Sequence, residues 1–138
     1  MQLLHSLTLQ ERELPKLCEL LNLHHNKGIY LLRGDLASGK TTLVRFIVQS
    51  LNSQSIVTSP TFLLAQEYQN NIYHYDIFQK DLQSLLALGL LEEFEKEGWH
   101  FIEWGDEKLA KILKQIGISF RIIEISTKHN KREYKIYG

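Results

Sequence analysis

The spacing of apolar positions divides the chain into helical and extended segments. Leu14, Leu17, Leu20 and Leu21 recur every three or four residues, which predicts a helix with Ser6 or Thr8 as its cap. Asn26 and Gly28 break that pattern, and the unbroken run Ile29-Tyr30-Leu31-Leu32, bounded by Gly34, reads as a buried strand. Helical spacing returns with Leu43, Phe46, Ile47 and Leu51. A second extended stretch, from Phe62 through Ala65 to Tyr68, meets a turn at Asn70-Asn71 before Ile72 to Tyr75, the pattern of an antiparallel hairpin. Asp81 to Phe94 is leucine-rich at helical spacing with Gly89 interrupting it. Trp99 to Glu103 then reads as a strand and Glu107 to Ile116 as a helix. The last segment predicts another hairpin, with Ile118, Phe120, Ile122 and Ile125 on one arm, a turn over Lys128 to Lys131, and a return over Tyr134 to Tyr137. No repeat, low-complexity tract or linker divides these segments. The order predicts one α/β domain over residues 1–138, built on a mixed, mostly parallel sheet with flanking helices and antiparallel hairpins.

The strand ending at Leu32 runs directly into Gly34-Asp35-Leu36-Ala37-Ser38-Gly39-Lys40-Thr41, and a helix follows. This is the Walker A pattern at every fixed position, in the strand–loop–helix setting that a phosphate-binding loop needs. Glycines let the backbone curl so that successive amides point at phosphate oxygens, and the helix adds the positive end of its dipole. In that reading Asp35, Leu36, Ala37, Ser38, Gly39 and Thr42 line the phosphates with their backbone. Lys40 neutralises the β and γ phosphates, and the Thr41 hydroxyl ligates magnesium. At average residue usage such a coincidence arises by chance in about one chain in two hundred of this length. The fold expected is therefore a P-loop NTPase domain holding ATP and Mg2+.

Magnesium at such a loop is normally organised by a second acid at the end of a neighbouring strand. Asp76 closes one strand candidate and Glu103 another, and either reaches the metal only if its strand runs parallel to the one before the loop. Ser59-Pro60-Thr61-Phe62 occupies the place where nucleotide-sensing segments often lie, so Thr61 is a candidate for positioning water near the γ-phosphate. Thr127-Lys128-His129-Asn130 follows a strand as a guanine-reading motif does, but Asn130 stands where that motif needs a carboxylate, which favours ATP over GTP.

Charge narrows the partners. The chain carries 16 basic and 16 acidic residues, with no long run of either sign, so its overall field favours neither nucleic acid nor an anionic membrane. Its one cysteine, Cys18, lies among leucines and reads as a core thiol, and its six histidines lack metal-ligand spacing. No basic leader or long apolar span is present in the sequence, and a cytoplasmic location is expected.

Several blocks coincide with one known pattern: Gly34 to Thr42, Ser59-Pro60-Thr61-Phe62, Glu67-Tyr68, His74-Tyr75-Asp76-Ile77-Phe78 and Ile102-Glu103-Trp104. In this order they resemble the TsaE (YjeE) family, small bacterial ATPases needed to make N6-threonylcarbamoyladenosine in tRNA. The resemblance implies an ATPase acting on a complex of TsaB and TsaD, reaching tRNA only through that complex, with no role for DNA or membrane. It further implies that Lys40 binds phosphate, that Thr41 and Glu103 ligate magnesium with Asp76 close by, and that Trp104 lies beside the nucleotide or a partner. Asp76 and Thr61 become candidates for organising the attacking water. Thr8 corresponds to a base-contacting residue and Arg132 to an arginine near the nucleotide. Ala37 departs from a common glycine, Phe62 and Phe78 from tyrosines, and Gln79 from an arginine. Beside the partner-driven ATPase stand two other readings, a metabolite kinase and a nucleotide switch that does not hydrolyse.

Overall fold

The computed structural model describes residues 1–35, 37–57 and 65–138. Its seven strands form one sheet in the order β1-β7-β6-β2-β5-β4-β3. The strands are β1 (Leu3–Leu9), β2 (Gly28–Arg33), β3 (Gln66–Tyr68), β4 (Ile72–Asp76), β5 (Trp99–Glu103), β6 (Phe120–Lys128) and β7 (Lys131–Tyr137). The helices are α1 (Leu14–Leu21), α2 (Lys40–Ser50), α3 (Leu82–Ala87), α4 (Leu90–Phe94) and α5 (Glu107–Ile116). The four central strands, β6, β2, β5 and β4, are parallel, whereas β3, β7 and β1 add antiparallel edges.

Strand periodicity sorts the core into two layers. In β2, Tyr30 and Leu32 point into one apolar cluster with Leu17, Leu43 and Ile47 from α1 and α2. Ile29 and Leu31 point into the other, with Leu85, Leu90, Leu109 and Leu113 from α3, α4 and α5. Both faces of β2 are thus covered, which is why its sequence is a continuous apolar run instead of an alternation. Each fully buried leucine contributes about 1.5–3 kcal/mol relative to exposure.

Two local readings need correction. Ser6 and Thr8 do not cap a helix; they lie within β1, where Ser6 faces Lys135 and Thr8 faces Glu133 of β7. Alternating Leu3, His5, Leu7 and Leu9 fits an edge strand, but β7, its partner, is more than a hundred residues away in sequence. The helical segment begins instead at Gln10, whose amide donates to the Glu13 carboxylate at 3.0 Å, and Pro15 occupies the first turn of α1. Asp81 to Phe94 is two helices, because Gly89 adopts φ 100° and starts a second one. The Asn70-Asn71 turn holds both residues in the left-handed region and joins β3 to β4 as expected. The Phe62 to Leu64 part of that expected hairpin lies outside the described residues.

Candidate functional site

The register of the central sheet places the chemistry. Leu32 of β2 lies beside Glu103 of β5, and Glu103 beside Asp76 of β4. All three strands are parallel, so both acids arrive at the carboxyl edge of the sheet where β2 turns into the phosphate loop. The spacing left open which acid would do so; the topology brings both.

Close packing shapes the loop itself. A Cβ on Gly34 would fall 2.5 Å from Ser38 Oγ and 2.6 Å from the Ile125 carbonyl oxygen, so only glycine fits where the chain leaves β2. Gly39 turns the chain into α2 at φ 102°. Ala37 also takes a left-handed conformation, φ 62°, in which alanine carries strain of about 1–2 kcal/mol that glycine would not. The first amides of α2 face the loop, where the helix has no internal partners for them.

Lys40 is buried at the mouth of α2 and donates to the carbonyls of Gly34 at 2.7 Å and Asp35 at 2.9 Å, with Ser38 Oγ at 3.3 Å. Its ammonium also sits 4.0 Å from the centre of the Trp104 ring. Burial pulls the lysine below its ordinary pKa, while Glu103, Asp76 and Asp35 oppose that shift. The Thr41 hydroxyl lies 2.9 Å and 3.1 Å from the two carboxylate oxygens of the buried Glu103. Asp76 is half-buried on β4, and its carboxylate accepts from the Phe78 amide at 3.0 Å.

Trp104 follows Glu103 directly with φ 67°, an unusual conformation for a bulky residue that places its ring against Lys40 and 4.5 Å from the Phe78 ring. Strain of this kind, about 1–3 kcal/mol, collects at functional sites. From the last hairpin Arg132 Nη2 reaches the Ala37 carbonyl at 3.1 Å, while its buried Nε has no partner among the described residues. A buried guanidinium N–H without a protein partner there is a donor suited to an anion.

These side chains enclose a cleft of about 370 Å³ lined by Ala37, Ser38, Gly39, Lys40, Thr41, Thr42, Asp76, Phe78, Glu103, Trp104 and Arg132. Ten of the fourteen residues singled out from sequence therefore line one cleft. Asp35 is exposed and contributes its carbonyl to Lys40 without lining the cleft. Thr8 is exposed on β1 and does not line it either; its neighbour Leu9 lines a smaller hollow beside it with Leu14, Gly39, Thr42, Asn130, Arg132 and Tyr134. Leu36 and Thr61 lie outside the described residues. A wider cavity of about 500 Å³ between α1 and α2, lined by Pro15, Cys18, Leu23 and Phe46 among others, holds none of the motif residues, so its size does not make it the reaction site.

Phe78 and His74 were quoted from sequence only as members of one family block, without a role. Phe78 was legible only as a departure from tyrosine, yet it supports Trp104. His74 Nε2 lies 2.5 Å from Glu103 Oε2. The available signal was a histidine within an otherwise apolar strand.

Comparison with known proteins places this geometry. The sequence model of "Threonylcarbamoyl adenosine biosynthesis protein TsaE" matches residues 8–135. A Haemophilus influenzae protein named tRNA threonylcarbamoyladenosine biosynthesis protein TsaE is 39% identical over 108 residues, covering 75% of this chain and 68% of that one. Its Bacillus subtilis namesake is 32% identical over 116 residues, covering 76% and 73%. The crystal structure of Bacillus subtilis YdiB superposes with a TM-score of 0.62 over 99% of this chain and 86% of the other, at 21% identity, a likeness of fold. With a family match over almost its whole length, close relatives on two sides and a phosphate loop set against two strand-end acids, this chain belongs to the TsaE family.

Proposed function

We propose that the chain binds and hydrolyses ATP with Mg2+, as a cytoplasmic component of tRNA threonylcarbamoyladenosine biosynthesis that acts on a TsaB–TsaD complex and touches tRNA only through it. One observation carries the nucleotide reading: Thr41 at the start of α2 meets the buried Glu103 carboxylate within 3.1 Å, beside Lys40 and the loop amides. Hydroxyl and carboxylate oxygens are the donors that magnesium takes alongside phosphate and water, and the orphan Nε of Arg132 suits an anion. The donor set therefore fits Mg·ATP.

When bound, magnesium would supply positive charge that offsets the charge developing on the phosphates. Thr41 and Glu103 would hold it, and Asp76 would order its waters or the attacking one, together with Thr61. Lys40 would exchange its bonds to the Gly34 and Asp35 carbonyls for phosphate oxygens, and the amides from Ala37 to Thr42 would cradle them. The chain contributes positioning and charge, with no covalent step. Trp104 and Phe78 would shield the lysine side of the cleft from water. The hollow beside Gly39 and Thr42, lined also by Leu9, Glu11, Leu14, Asn130 and Tyr134, would lie next to the adenine, close to Thr8. Among the described residues no helix is long and apolar enough to cross a membrane.

Phosphate release from Mg·ATP, measured on the chain alone and again with TsaB, TsaD and tRNA, tests this reading. A rise with the partners that Lys40→Ala abolishes is expected. Binding of ATP and of partners without any release would instead support a nucleotide switch, and phosphate appearing on an added metabolite would support a kinase.

A further inference from the structure

Glu103 is held from two sides. Thr41 approaches from α2, and His74 approaches from β4, with Nε2 at 2.5 Å from Glu103 Oε2. His74 is completely buried, and its Nδ1 lies 2.9 Å from the Tyr68 hydroxyl on β3. Sheet register makes this alignment. His74 lies opposite Phe101, two residues before Glu103, so both side chains share the face that α2 covers, and β3 runs antiparallel beside β4 at the same level.

The direction of these bonds follows from the groups themselves. A carboxylate oxygen only accepts, so the hydrogen between Glu103 and His74 belongs to Nε2. Oε2 is then shared between His74 and Thr41, while Oε1 faces only Thr41 among the described residues, at 3.1 Å. Burying both nitrogens carries a cost that an apolar residue of that size would avoid, and here one of the two bonds that offset it goes to the buried strand-end acid of the cleft. Without His74, the Glu103 side chain would be free to leave the orientation in which one oxygen is turned toward the cleft.

We propose that His74 is a positioning residue: it locks the Glu103 carboxylate in the orientation that receives a divalent cation at the Thr41 hydroxyl, and Tyr68 holds the His74 ring in turn. The inference rests on the Mg·ATP reading above. Hydrogen-bond partners that orient a metal ligand from behind typically tune metal affinity by about 10–100-fold.

The test is equilibrium binding of a fluorescent ATP analogue to the full chain, first in EDTA and then across a Mg2+ titration, so that metal-free affinity and the Mg2+ midpoint are read separately. His74→Leu is expected to leave metal-free affinity unchanged and to raise the Mg2+ midpoint about tenfold or more. Tyr68→Phe, which keeps the ring, is expected to raise it by a smaller factor. His74→Gln, whose amide N–H reaches toward the same oxygen, is expected to recover part of the loss. A midpoint equal to wild type in folded His74→Leu and Tyr68→Phe overturns the proposal, as does an equal loss of affinity with and without Mg2+, the mark of a purely structural role. If His74→Leu does not fold, Tyr68→Phe decides alone, a raised midpoint supporting the proposal and an unchanged one ending it. Glu103→Gln separates the two levels. If it leaves the midpoint unmoved, the magnesium reading fails and this inference with it; if it shifts the midpoint while the His74 and Tyr68 variants do not, only this inference fails.

Discussion

At the scale of single residues, the site is a set of polar groups whose partners are counted out. Lys40 is satisfied by two loop carbonyls and an aromatic face, and Thr41 by Glu103. Arg132 Nε is the exception, buried with no partner among the described residues, and an unmade bond of that kind costs about 1–3 kcal/mol. A phosphate oxygen would recover that cost. Arg132→Ala is therefore expected to weaken ATP binding about tenfold or more, with little loss of thermal stability. Calorimetric titration of the variant checks this, and wild-type affinity would remove Arg132 from the nucleotide site. The phosphate loop was legible because its glycines, lysine and threonine are defined by local spacing. The roles of His74 and Phe78 were not, since a side chain's partner across a sheet has no fixed distance along the chain.

At the scale of elements, turns decide how the pieces meet. Gly98 enters β5 at φ 141°, and a Cβ there would fall 2.0 Å from the Asn71 carbonyl oxygen in the turn between β3 and β4. That oxygen also accepts the Trp99 amide at 3.0 Å, so the turn cannot retreat without breaking the start of β5. Gly98→Ala is expected to destabilise the fold by about 1–3 kcal/mol, read as a lower denaturant midpoint. An unchanged midpoint would mean that the hairpin turn yields freely. Helical periodicity made α5 readable, and an unbroken apolar run the strand at Ile29. The edge strand β1 was misread as the lead into a helix, because Ser6 and Thr8 are good caps locally and only pairing with β7 makes them extended.

At the scale of the whole molecule, the second apolar layer carries its own titrating group. His100 is buried against Tyr73 at a ring separation of 4.7 Å; its Nε2–H donates to the Lys96 carbonyl at 2.7 Å and its Nδ1 accepts from the Tyr75 hydroxyl at 2.7 Å. That arrangement suits the neutral ring, and burial lowers its pKa below 6.5, with the Lys96 carbonyl and Glu93 opposing the shift. Below pH 6.5 the unfolded chain then takes up a proton that the folded chain resists, so this contribution is present above that pH and is lost as pH falls toward the lowered value. Stability measured by denaturation is expected to fall on acidification more steeply in wild type than in His100→Phe. Parallel profiles would show that the ring titrates alike in both states.

Local sequence determined the glycine-rich loop and its flanking strand and helix, because backbone conformation and helix spacing act within a few residues. It determined also that one α/β domain holds them and that Asp76 and Glu103 end strands. Tertiary structure decided the rest: that β4 and β5 both run parallel to β2, that Arg132 returns from the last hairpin to the loop, and that His74 stands behind Glu103. Those placements depend on strand order and register, which are set by burying two apolar faces at once and leave no mark in the spacing of any single segment.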